Sequence, residues 1–169
     1  MKAPSSILFV CLGNICRSPL AEGIAREFVK KYQLPLQVDS AGTSGWHIDE
    51  EPCLGSRQVA QKHGFSIDDL RGRRVSVYSD DSFDLIIALD SSNYKNLLQL
   101  GFEQSRVKKL GDFGLKGADV PDPYGYKDAQ GFEKVYQMIA FCVRNLLCMH
   151  YPVIELDSRF LDIQSPTSS

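Results

Sequence analysis

Ile7-Leu8-Phe9-Val10-Cys11-Leu12-Gly13-Asn14-Ile15-Cys16-Arg17-Ser18-Pro19 joins an apolar run to the start of a helix. The run reads as a strand from about Ser6 to Val10. Pro19 suits the first helical position, where a missing N–H would have no partner in any case. Leu20, Ile24 and Phe28 follow at four-residue spacing with Ala21 and Ala25 beside them, which gives one apolar helix face. Backbone N–H groups of a tight loop feeding a helix N-terminus form a cradle for an anion. Gly13 and Asn14 tolerate the positive φ that such a curl needs. Arg17 offers a planar fork to two phosphate oxygens. The same field favours the Cys11 thiolate, placing an in-line nucleophile on the floor of a phosphate site.

Outward from this stretch the theme of strand, loop and helix repeats, which predicts an α/β fold with a parallel sheet. Leu36–Ser40 is the second strand, and Ala41–Trp46 the loop leaving it. A helix follows around Pro52–His63, stopped by Gly64. Ser66–Ser82 reads as polar and irregular. Phe83–Leu89 is almost continuously apolar, the pattern of a strand covered on both faces. Asp90-Ser91 caps a helix through Leu100 that Gly101 ends. Val107–Leu110 is a short edge strand, Gly111–Gly131 a long loop, and Phe132, Val135, Ile139, Cys142 and Leu146 line the last helix. One domain is expected over residues 1–150, with an extension over 151–169 whose end, Ser165–Ser169, is expected to be disordered.

Composition narrows the partners. The chain has 169 residues, 43% of them hydrophobic and 24% charged, and a net charge of -2, so no overall basic field points to nucleic acid. No apolar run approaches the ~20 residues that span a bilayer, and Ile7–Leu12 is too short for a signal-peptide core. Five cysteines without a dense framework favour free thiols and a cytosolic setting. His47, His63 and His150 lack metal-ligand spacing, so no metal and no cofactor are expected.

Ligands of open parallel sheets sit beyond the carboxyl ends of the strands, where the Cys11 loop, the Ser40–Trp46 loop, Asp90 and the loop after Leu110 all emerge. The last of these holds Val120-Pro121-Asp122-Pro123-Tyr124, an aspartate held between two prolines at low entropy cost. Asp122 reads either as a proton donor to a departing oxygen or as an ordinary Asp-Pro turn. Trp46 and Tyr124 are either walls for a flat ring or surface anchors. Ser18 either caps the helix or hydrogen-bonds the Cys11 sulfur. Asp90 either fixes the Arg17 fork or caps its own helix. Cys16 either packs or forms a protective disulfide with Cys11 under oxidation.

Taken together, these stretches resemble the low-molecular-weight protein tyrosine phosphatases. The match covers V-C-L-G-N-I-C-R-S-P, D-S-A-G-T from Asp39, F-D-L-I-I-A-L-D ending at Asp90, and V-P-D-P-Y from Val120. The resemblance implies a flavodoxin-like, four-stranded parallel sheet of order 2-1-3-4 with helices on both faces. It also implies metal-free hydrolysis of phosphotyrosine in proteins through a cysteinyl phosphate. By position, Cys11 is then the nucleophile, Arg17 the phosphate clamp and Asp122 the general acid. Leu12, Gly13, Asn14, Ile15, Cys16 and Ser18 form the phosphate loop, with Trp46 and Tyr124 at the mouth. Ser40 supports the loop with Asn14 and Ser18, Asp90 stands behind Arg17, and Cys16 is the redox partner. Phosphotyrosine proteins are the expected partners of a cytoplasmic monomer or weak dimer. Three departures stand out: Leu70-Arg71-Gly72-Arg73 replaces the H-x-A-R stretch that many members carry, Gly125 stands where a second tyrosine is common, and the tail beyond about Tyr151 exceeds the usual family length.

Rival readings are weaker. An arginine phosphatase of the same fold tends to carry threonine where Ile15 presents an apolar surface. An arsenate reductase of this type needs further cysteines after the third strand, and Asp80–Val120 has none. A dead phosphopeptide-binding module would lack Cys11, Arg17 or Asp122. Cys11 and Cys16 do not have the C-x-x-C spacing of a thiol oxidoreductase.

Overall fold

The apolar run at the N-terminus becomes the centre of the sheet. In the computed structural model, which describes residues 2–126 and 128–154, β1 (Ser6–Cys11) lies between β2 (Gln37–Gly42) and β3 (Leu85–Ala88). The fourth strand, β4 (Val107–Lys109), pairs with β3, and every pairing is parallel. The order is β2-β1-β3-β4, as expected. Among the described residues five α-helices are interleaved: α1 (Arg17–Tyr32), α2 (Leu54–Lys62), α3 (Val77–Asp80), α4 (Ser91–Leu100) and α5 (Ala129–His150).

Alternate side chains of β1 part to opposite faces. Ile7, Phe9 and Cys11 join a core with Leu20 and Ile24 of α1, Val59 of α2 and Ile139 of α5. Leu8 and Val10 join a second core with Ile86 and Ala88 of β3 and Leu97 of α4. Both faces are thus covered, which is why β1 is apolar without interruption. Full burial of each of these large side chains contributes about 1.5–3 kcal/mol.

Three expectations shift. Helix α1 begins at Arg17 with Cys16 as its N-cap, so Pro19 is the third helical residue rather than the first, and Ser18 is not the cap. Pro19 is still among the first-turn positions whose N–H groups lack an intrahelical partner. Ser66–Ser82 is not wholly irregular: Ile67 and Val75 are buried, and Arg74 bridges Gly42 in parallel. In the same stretch Ser76 caps α3 by accepting the Tyr78 N–H at 3.3 Å. The organising group is Arg73, whose guanidinium binds Asp80 through two hydrogen bonds of 3.1 and 3.0 Å and Asp39 at 3.0 Å. Finally, the extension starts by packing on the body. The Tyr151 hydroxyl donates to the Pro4 carbonyl at 2.7 Å, and Ile154 is buried. The expected disorder of Ser165–Ser169 lies outside the described residues. Among those described, no helix is long and apolar enough to cross a membrane.

Candidate active site

The residues after Cys11 curl because Asn14 takes a left-handed conformation, φ 56°. The end of β2 holds the curl: Thr43 and Ser44 donate their N–H groups to the carbonyls of Cys11 and Leu12, both at 2.9 Å. A Cβ on Gly42 would stand 2.8 Å from the Leu12 carbonyl oxygen, so only glycine allows this approach.

A chain of hydrogen bonds leads to the Ser18 hydroxyl beside the Cys11 sulfur, with its direction fixed as far as Ser18. It begins at the backbone N–H of Arg73, which can only donate, and which meets Asn14 Oδ1 at 2.9 Å. That settles the orientation of the amide. Asn14 Nδ2 then donates to Ser18 Oγ at 2.8 Å and Ser40 Oγ at 3.0 Å, leaving each hydroxyl proton to point onward. Ser40 donates to Glu22 Oε1 at 2.7 Å. Ser18 Oγ lies 3.1 Å from Cys11 Sγ and 3.4 Å from the Ala41 carbonyl. The Asn14 backbone N–H also donates to Cys11 Sγ, at 3.3 Å. The sulfur thus has one fixed donor, the Asn14 N–H, and beside it a hydroxyl whose proton can turn to a thiolate or to the Ala41 carbonyl. Leu70-Arg71-Gly72-Arg73 therefore does supply support to Asn14, by a main-chain N–H rather than an imidazole.

Glu22 was not foreseen. It lies four residues after Ser18, hence on the same buried helix face. Burial pushes its carboxyl from the ordinary 4.5 to about 7, with the Ser40 hydrogen bond opposing the shift.

Arg17 is 2% exposed. Its Nη1 donates to Asp90 Oδ2 at 2.6 Å and to the Val120 carbonyl at 3.0 Å, which uses both Nη1 protons. Its Nη2 lies 3.7 Å from Asp122 Oδ2. The alternatives for Asp90 are both realised: while Oδ2 holds Arg17, Oδ1 caps α4 by accepting the Asn93 N–H at 2.7 Å. The Asp122 carboxylate is aimed by its own turn, accepting the Tyr124 N–H at 3.0 Å.

These groups border one cavity of about 90 Å³. Cys11, Arg17 and Asp122 meet there with Leu12, Gly13, Ile15 and Cys16 of the loop. Trp46 and Tyr124, 72% and 65% exposed, stand at its mouth with His47, which the sequence reading weighed only as a metal ligand. The His47 ring lies 6.0 Å from that of Tyr124 and pairs with Glu50. Asn14, Ser18, Ser40 and Asp90 do not line the cavity; they stand behind those that do. Among the described residues no cluster suits a metal ion.

The cysteines differ from expectation. Cys16 is bonded not to Cys11 but to Cys53, and Cys11 keeps its thiol. The reason is placement: the Cys53 N–H donates to the Ile15 carbonyl at 2.7 Å, bringing the Cα atoms of Cys16 and Cys53 to 5.3 Å. Cys11 Sγ, by contrast, is turned toward Ser18 and the Asn14 N–H.

Known proteins resemble this chain in sequence and fold. A family profile described as Low molecular weight phosphotyrosine protein phosphatase matches residues 6–157. The low molecular weight protein-tyrosine-phosphatase YfkJ of Bacillus subtilis is 43% identical over 148 residues, 84% of this chain and 93% of that protein. The crystal structure of YfkJ superposes with a TM-score of 0.79 at 41% identity, over 85% of this chain and 92% of that one. PtpA of Staphylococcus epidermidis, of the same description, is 38% identical over 83% of this chain and 90% of its own length. A Drosophila arginine phosphatase superposes with a TM-score of 0.79 at 31% identity, over 89% of this chain and 98% of its own. The chain belongs to the low molecular weight phosphotyrosine protein phosphatase family.

Proposed function

We propose that this protein hydrolyses phosphotyrosine in proteins, and small aryl phosphates, through a cysteinyl-phosphate intermediate. The observation that carries the reading is the Cys11 sulfur, held by the Asn14 N–H with the Ser18 hydroxyl in reach, on the floor of a cavity shared with Arg17 and Asp122. Cys11 attacks phosphorus while Arg17 and the amides from Leu12 to Ser18 hold the equatorial oxygens. Asp90 and the Val120 carbonyl keep the guanidinium from swinging as charge builds. Asp122 gives its proton to the departing tyrosyl oxygen and then takes one from the water that hydrolyses the intermediate. The Ser18 hydroxyl steadies the sulfur as it leaves. Trp46 and Tyr124 flank the ring, with Ile15 as apolar floor. Neither step calls for a metal or cofactor. Phosphotyrosine proteins are the partners, and the cytoplasm, where ATP-dependent phosphorylation makes such substrates, is the setting of the reading.

Hydrolysis of p-nitrophenyl phosphate by wild type and Cys11→Ser, with EDTA present, is the test. Wild type should be unaffected by EDTA and the variant should lose at least about 10³-fold. An active variant would remove Cys11 as nucleophile. A second reading, phosphoarginine hydrolysis, draws on the 31% identity to the Drosophila enzyme. Phosphotyrosine and phosphoarginine peptides compared side by side separate the two, and apolar Ile15 favours the first.

A further inference from the structure

Two helices place a cysteine at the N-cap, and in neither does the cap side chain hydrogen-bond the first turn. Ser, Thr, Asp or Asn normally stands there. A local rule broken twice, at adjoining helix ends, is the kind of sequence choice found at functional positions. Cys16 caps α1 and Cys53 caps α2, and the two sulfurs are joined. The contact is built: besides the Cys53 N–H on Ile15, the buried Ser56 hydroxyl donates to the Cys16 carbonyl at 2.8 Å, and Cys53 Sγ lies 3.3 Å from Ser56 Oγ. Both cysteines thus stand at the positive end of a helix dipole. Cys16 also borders the cavity of Cys11, and both cysteines line an adjoining groove of about 450 Å³.

We infer that Cys16 and Cys53 form a resolving dithiol that clears oxidation from Cys11, giving the phosphatase site a second activity, the reduction of small hydroperoxides. The inference rests on Cys11 being the reactive thiolate of the proposed function. The Cys11 thiolate attacks a peroxide oxygen; the O–O bond breaks, Cys11 becomes the sulfenic acid, and the departing hydroxide takes a proton to leave as water. The Cys16 thiolate attacks that sulfur, forming Cys11–Cys16 and releasing a second hydroxide, which is also protonated to water. The Cys53 thiolate then attacks Cys16 Sγ, forming Cys16–Cys53 and expelling the Cys11 thiolate. The balance is one hydrogen peroxide and two thiols to one disulfide and two waters. Cys11 is the better leaving group, because Ser18 and the Asn14 N–H already wait to receive its charge. The final state is the one observed, with Cys16–Cys53 bonded and Cys11 a thiol. Reduction by a dithiol such as dithiothreitol returns the cycle to its start.

The test uses the full chain, reduced, desalted without air, treated with a small excess of hydrogen peroxide and quenched with catalase. Phosphatase activity is read without added thiol, and disulfides are mapped by mass spectrometry after trypsin. Cys11 and Cys16 fall in one tryptic peptide and Cys53 in another, so the two linkages are told apart directly. Wild type should keep most of its activity and show the cross-linked peptides. Cys53→Ser should match wild type before peroxide, then lose at least about tenfold until dithiothreitol restores it, with the linkage inside one peptide. Equal inactivation of both proteins, or a Cys11–Cys16 link in treated wild type, would overturn the inference. The wild-type linkage map decides even if the variant folds poorly. Activity before peroxide reports separately on the phosphatase reading.

Discussion

Asp122 separates chemistry from binding most cleanly. Asp122→Asn removes the proposed proton donor while leaving Cys11 and Arg17 in place. Hydrolysis of phosphotyrosine should slow by about 10²–10⁴-fold, whereas p-nitrophenyl phosphate, whose phenolate departs unaided, should slow much less. Pre-steady-state kinetics on both esters measure this, and equal slowing would count against the acid role. Residues of this kind were legible in the sequence because each lies in a short contiguous motif: Cys11 and Arg17 in one loop, Asp122 between two prolines. Glu22, His47 and Cys53 were not. The Cys16–Cys53 pair spans 37 positions, and no local pattern announces such a partner. His47 follows Trp46 directly and needed only the geometry of the loop to be seen at the mouth. Glu22 carried a signal that was overlooked, a charged residue at helical spacing from Ser18 on an otherwise apolar face.

At the level of elements, the phosphate loop keeps its shape because the end of β2 leans on it. Gly42→Ala would drive a methyl to 2.8 Å from the Leu12 carbonyl, backbone against backbone. A cost of about 1–3 kcal/mol is expected in urea unfolding. Phosphatase activity should fall further than stability alone explains, since the shift moves the Asn14 N–H off Cys11. Unchanged turnover would show that the β2 contact does not shape the loop. Strand positions and sheet order followed from the apolar pattern because burial on both faces leaves little choice of residue. Helix starts were harder. Polar composition hid the ordered stretch around Arg73, where ion pairs rather than apolar spacing hold the chain, and a cysteine in place of a hydroxyl or carboxylate concealed the start of α1.

For the molecule as a whole, the buried Glu22 links stability to pH. Its folded pKa of about 7 lies above the ordinary 4.5, so between these values the native state holds a proton that the unfolded chain has lost. Stability from this group is complete below about pH 4.5, falls as pH rises, and is lost above about 7. The loss is roughly 3 kcal/mol. Urea titrations of wild type and Glu22→Gln across that window should show the variant gaining on wild type as pH rises, with the gap constant beyond it. Parallel profiles would mean that the carboxyl ionises freely in the folded protein.

Arg17 holds Asp90 and the Val120 carbonyl with one nitrogen, and this has a consequence for how the protein is made. Synthesis runs from the N-terminus, so Cys11 emerges early, before Ser40 and Arg73 can orient Asn14 and long before Asp90, Val120 and Asp122 exist. Until the last of these has been translated, the groups that stand around the thiol in the folded protein are missing. A ribosome-bound or prematurely terminated copy therefore carries the nucleophile without the means to use it. Phosphatase activity is therefore expected only of chains that extend through Asp122, and a chain truncated before it should show none.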